Sequence, residues 1–207
     1  MGLVFLVVWF LGAVAISLAG VLDDVPSPIL LSAGAILPAA GYFALYFISS
    51  RFRGFVLGLN LRTVTLVEAS RLTGFIFFLE YAWGRLPGIF AITTGATDFT
   101  VGLTSLLVAF QLISKQGIAK PRVTLWHTFG MLAALTSGTL GIMTSGTPLG
   151  VLAGGITSQA MSTFPLNLVP IYLGPVTLIF HLIALCILHA QARQNRGERA
   201  AISLQPA

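Results

Sequence analysis

Five ionisable side chains stand inside apolar runs of this sequence: Glu68, Arg71, Asp98, His127 and His181. Such groups are expensive in an apolar medium and usually face inward, in pairs. A guanidinium cannot shed its charge, so Arg71 demands a carboxylate or an aqueous pocket. Glu68 precedes it by three residues and shares its helix face. Asp98 is the other acid expected at the same depth, on the next span. A cluster of Glu68, Arg71 and Asp98 satisfies all three. Arg71 would attract an anionic group or hold a carboxylate ionised, and Asp98 or Glu68 would exchange a proton, with His181 nearby. The same residues would also serve as a static ion network that fixes helix packing.

His127 and His181 suggest a different chemistry. They lie on separate helices, and a helix bundle can hold haem between two such rings or present them to a quinone. Counting helix rise puts them several Å apart in depth, which weakens the pairing. An ordinary buried histidine bonded to a carbonyl or hydroxyl is the plain alternative for each. Ser70, His181 and Asp98 contain the groups of a nucleophilic triad, but nothing in their spacing singles them out. No Gly-rich phosphate loop, HExxH or GxSxG motif is present. The lone Cys186 excludes an intrachain disulfide and a CxxC pair, so no metal site is expected. An enzyme is the less favoured reading.

Elements that could position these residues follow from composition. Charged residues make up 8% and hydrophobic residues 56% of 207 residues, the composition of a chain whose solvent is lipid. A spanning helix needs about 20 mostly apolar residues. Six stretches qualify: Gly2 to Gly20, Ile29 to Ser49, Leu61 to Trp83, Pro87 to Ser114, Val123 to Thr144 and Asn167 to Gln191. The fold class expected is therefore all-α, an integral membrane bundle of six transmembrane helices forming a single domain over residues 1–207. The first stretch also carries small residues, Ser17-Leu18-Ala19, that suit a cleaved signal. It has no basic n-region and is near spanning length, which favours a helix that stays.

Orientation follows from the basic residues. With the N-terminus inside, Arg51, Arg53, Arg62, Lys115, Lys120, Arg122, Arg193, Arg196 and Arg199 are all cytoplasmic, while Arg85 is outside with Asp23 and Asp24. The positive-inside rule thus places both termini in the cytoplasm. It also accounts for the net charge of +5, so nucleic acid is not an expected partner.

Two segments are expected not to span. Phe52, Phe55, Val56 and Leu59 give 51–61 the pattern of an interfacial amphipathic helix, with a plain loop as the alternative. The Gly- and Ser-rich stretch 148–164 would be an interfacial helix, a cap or a re-entrant segment. Within the fourth span, Leu86 to Asp98 is a weak helix former. Thr94, Gly95, Gly102 and Ser105 share a face with Asp98, which suits either a mid-membrane break or close packing of a continuous helix.

The pattern Arg71-x-x-Gly74, Leu86-Pro87-x-x-Phe90-Ala91, Gly95-x-x-Asp98 and Gly102 resembles one found in uncharacterised multi-pass bacterial membrane proteins. It covers about 35 residues. The resemblance implies a bacterial inner-membrane protein in which the Arg71 and Asp98 segments form a unit; it implies no activity. The leading expectation is a small-solute or proton-linked transporter using Glu68, Arg71, Asp98 and His181, embedded in the lipid bilayer. The rivals are a redox protein binding haem or quinone through His127 and His181, and a non-catalytic subunit of a larger membrane complex. Homo-oligomerisation is compatible with each.

Overall fold

A computed structural model describes residues 2–22, 28–112 and 120–203. Its regular elements among these are all helical, as the apolar periodicity requires. They are α1 (Gly2–Leu18), α2 (Pro28–Ile48), α3 (Ser50–Leu57), α4 (Leu61–Val67), α5 (Phe75–Ala82), α6 (Gly88–Leu107), α7 (Lys120–Met143) and α8 (Gly174–Ser203). A 3-10 stretch, Glu68–Gly74, joins α4 to α5, and π turns at Val108–Leu112 and Val169–Leu173 follow α6 and precede α8.

Among the described residues two stretches, Gly88–Phe110 and Val169–Gly197, are long and apolar enough to cross a membrane. Leu3–Leu18 and the Ile36–Ile48 part of α2 are shorter apolar helical stretches. Two of the other expected spans fall short for visible reasons. The third is interrupted by the 3-10 stretch that carries Glu68 and Arg71, and α7 carries His127 and many Thr, Ser and Gly residues that lower its hydropathy.

The core divides along the helix axes. At one end Tyr42, Val56, Val64, Ile183, Ala184 and Ile187 pack together, next to a smaller group of Val108, Val123 and Leu188. At the other end Phe77, Leu86, Phe90, Ala91, Met161 and Leu166 form a second cluster. On every rod the five ionisable residues fall between these apolar plugs. Helix α8 runs against α2, α4 and α7, and none of its residues whose burial is described is an exposed large apolar side chain. Such side chains are frequent on α1, α2, α6 and α7, with Ile48 83% and Leu125 71% exposed. An outer surface this apolar is unusual for a chain whose solvent is water.

Segment 51–61 does contain a helix, α3, capped by Ser49, whose hydroxyl accepts from the Phe52 N–H. It buries Val56 and leaves Phe55 exposed. Residues 148–164 form a folded cap. Ser158 donates its N–H to the Thr144 carbonyl and its hydroxyl to the Gly141 carbonyl, and Met161 joins the second core cluster. The turn between α5 and α6 closes through Gly84 at φ +68°. There the Arg85 N–H bonds the Glu80 carbonyl and the Gly84 N–H that of Tyr81, the paired bonds of a Schellman cap.

The irregularity falls on a different helix from the one its composition suggested. α6 is continuous through Gly95 and Asp98, and its small residues serve close packing. Residues 68–74 are irregular instead. In a 3-10 helix residues three apart lie in line, so Glu68, Arg71 and Gly74 form one buried row. That row packs on α6: a Cβ at Gly74 would stand 2.5 Å from the Asp98 Cβ, and one at Gly102 would stand 2.5 Å from the Leu72 nitrogen. The two backbones meet because glycine occupies both positions.

Candidate functional site

The 3-10 row delivers Arg71 to Asp98. Its Nε donates to Asp98 Oδ1 at 3.1 Å and its Nη2 to the same oxygen at 2.5 Å. Nη1 donates in a different direction, to the Gly130 carbonyl at 2.9 Å and to His181 Nε2 at 3.1 Å. One guanidinium therefore joins α6, α7 and α8. Its side chain is 4% exposed, against 16% for Asp98, so Asp98 is the more accessible partner.

The two histidines are in direct contact, Nδ1 to Nδ1 at 2.9 Å. Helix rise suggested separate depths; where α7 and α8 cross, that offset vanishes. The crossing is close because residue 130 is glycine: a Cβ there would run into the His181 ring. Trp126 stacks edge-on against both rings, and its indole N–H donates to Thr104. Gly130, Trp126 and Thr65 were not singled out in the sequence. Only the glycine left a signal there, as a helix-weakening residue inside α7.

Donor counting assigns the protons. The Thr65 hydroxyl donates to the Leu61 carbonyl at 2.8 Å, so its oxygen accepts from His127 Nε2–H at 3.1 Å. Neutral His127 then has a lone pair on Nδ1 and accepts from His181 Nδ1–H. His181 in turn keeps a lone pair on Nε2, which accepts from Arg71. The result is one continuous chain, Asp98–Arg71–His181–His127–Thr65.

Glu68 stands beside this chain rather than on Arg71, the partner expected for it. Its Oε2 is 3.2 Å from His181 Nε2, within ion-pair range. The contact is not aligned as a hydrogen bond, and neither Glu68 oxygen has a hydrogen-bond partner. Both side chains are fully buried.

The histidine pair does not fit haem. Iron has to stand between its two imidazole ligands, with the macrocycle around it. Here the nitrogens touch, the ring centroids are 5.2 Å apart, and both Nε2 atoms already have partners. Ser70 lines a cavity with Arg71 and Asp98, whereas His181 does not, so the structure does not assemble a triad from Ser70, His181 and Asp98. Among the described residues no group of three or more His, Cys, Asp or Glu could hold a metal ion.

One further buried acid was overlooked. Glu80 is 3% exposed on its side chain and is held by Arg85 Nη2 at 2.6 Å across the α5–α6 turn. The i, i+5 spacing over a Gly-containing turn was the available signal.

Residues 28–189 match a family described as a domain of unknown function, DUF8737. The chain belongs to this family. The DUF8737 match includes every residue of the buried chain and leaves α1 outside it. It agrees with the expected likeness to an uncharacterised family. No curated protein and no solved structure matches the sequence.

Proposed function

We propose that this DUF8737 protein is a membrane-embedded, proton-linked transporter of a small solute. In this reading it has six spans and lies in a bacterial inner membrane with both termini cytoplasmic. The apolar exterior of α1, α2, α6 and α7 supports the membrane assignment, and the bias of basic residues supports the orientation. One observation carries the mechanism: Asp98, at a cavity wall, is linked through Arg71 to a buried histidine pair with an unpartnered carboxyl beside it.

The proton step belongs to Glu68 and His181. A Glu68 carboxylate would face the His181 Nε2 lone pair at 3.2 Å, acceptor against acceptor, so one proton is shared between them. On Glu68 it leaves His181 free to accept from Arg71. On His181 it turns that contact repulsive and loosens Arg71 from α8, altering its hold on Asp98. Solute at the cavity wall and proton in the interior are thereby coupled through one guanidinium.

The test is reconstitution in liposomes under an imposed pH gradient, with internal pH followed by a trapped dye. The triple variant Arg71→Met, Glu68→Gln, Asp98→Leu keeps a filled core, because well-packed apolar residues can match a buried ion network in stability. It is expected to fold and to move no solute. A folded triple variant that transports like wild type would sink this reading. Orientation is checked separately: cysteines at Arg53 and Arg196 should resist an impermeant outer-face thiol reagent in intact cells, while one at Asp24 reacts.

A further inference from the structure

The cavity beside Arg71 and Asp98 is built for something other than a hydrated ion. Its volume is about 690 Å³, within the roughly 300–1,000 Å³ of sites that hold small organic ligands. Its lining is mostly apolar. Ile36 and Phe43 of α2 and Leu135 of α7 line it and are 61%, 42% and 49% exposed. Helices α2 and α7 barely touch. The cavity therefore opens sideways between them, onto the apolar flank of the bundle.

Polar groups gather on the inner wall. Thr94 stands one turn before Asp98 on α6 and is 2% exposed. Its hydroxyl has no hydrogen-bond partner, nor has that of Ser137 on α7, and both residues line the cavity. Buried polar atoms in native folds are nearly always satisfied, so two unpartnered hydroxyls near an accessible carboxylate mark a place for a polar group. The wall offers no net charge to that group. Asp98 neutralises Arg71, whose Nη1 is already engaged by Gly130 and His181.

We propose that the cavity binds a neutral amphiphile, a hydrocarbon chain ending in a hydroxyl, admitted from the bilayer between α2 and α7. The ligand hydroxyl donates to Asp98, and its oxygen accepts from Thr94 or Ser137. The apolar lining holds the chain. This rests on the reading above, in which the protein is membrane-embedded and the Arg71–Asp98 wall is its working site, and it names the class of solute taken there.

The experiment measures binding alone. Protein in phosphatidylcholine nanodiscs is titrated with radiolabelled decan-1-ol, decanoate at pH 8 or decane, against empty nanodiscs. Decan-1-ol should bind saturably, with decanoate and decane at least about tenfold weaker. Thr94→Val with Ser137→Ala should weaken decan-1-ol about five- to tenfold, the size expected for lost hydrogen bonds. Gly138→Leu should abolish binding without unfolding the protein: residue 138 lines the cavity, and a Cβ there meets nothing within 4 Å. Equal affinity for decane would show an apolar slot, tighter decanoate an anion site, and no saturable ligand a cavity filled by phospholipid; each outcome overturns the proposal. Transport failing in liposomes while decan-1-ol binds would sink the transporter reading and leave this one standing. Transport persisting without decan-1-ol binding would do the reverse.

Discussion

Arg71 holds Asp98 at 2.5 Å and Arg85 holds Glu80 at 2.6 Å, yet the two pairs work in different settings. Arg85 is 55% exposed, reaches back five residues across a capped turn, and lies 4.9 Å over the Trp83 ring. It is a local staple, with water close enough to share its charge. Arg71 is buried, reaches a residue 27 positions away, and extends to two more helices. Similar pair lengths thus conceal different dependencies. Removing one cation loosens a turn; removing the other leaves a carboxylate and a histidine pair without the group that joins them.

The largest expected effect is that of Arg71→Ala. Breaking one partner out of a buried pair typically costs about 3–5 kcal/mol, and equilibrium unfolding in mixed micelles, followed by circular dichroism, should show a loss of that order. Should Arg71→Ala prove no worse than Arg85→Ala, the contrast between the pairs collapses.

Gly130→Ala comes next. The added methyl would enter the His181 ring, and overpacking of this kind costs about 1–3 kcal/mol. The same change made in a His181→Ala background should be neutral or slightly stabilising, since alanine favours helix over glycine by about 1 kcal/mol. A full penalty in both backgrounds would mean that the ring does not occupy that space.

Arg85→Ala should be the mildest, at about 1–2 kcal/mol. That exceeds an exposed ion pair because Glu80 is buried, and falls short of a fully desolvated one. Transport should be unaffected. A loss of transport would tie the turn to the site and erase the distinction drawn between the pairs.

Much of the site was legible from residue types. Arg71 and Asp98 were expected to meet, because apart from Glu68 on its own helix no other acid was expected near that depth to answer a guanidinium. What the sequence concealed was geometry between helices. Helix rise locates a residue along its own axis and says nothing of where axes cross, so the contact between His127 and His181 was missed. Glu68 was assigned to Arg71 by its i−3 spacing, and the two do share a face, but Arg71 reaches out to Asp98 and Gly130 while the approach of α8 places His181 beside Glu68 instead. The six apolar stretches were read from composition, but hydropathy averaged over a span cannot show that Glu68 to Gly74 winds differently from its flanks.

That winding makes the segment a screw. A 3-10 helix rises about 2.0 Å per residue and turns about 120°, against about 1.5 Å and 100° in an α-helix. Rewinding residues 68–74 as α would shorten the rod by about 3.5 Å and swing Arg71 about 60° relative to Glu68. The row that now faces α6 would fan out, withdrawing Arg71 from Asp98 while α4 and α5 were drawn toward each other. Seven residues thus link the length of one rod to the bearing of Arg71.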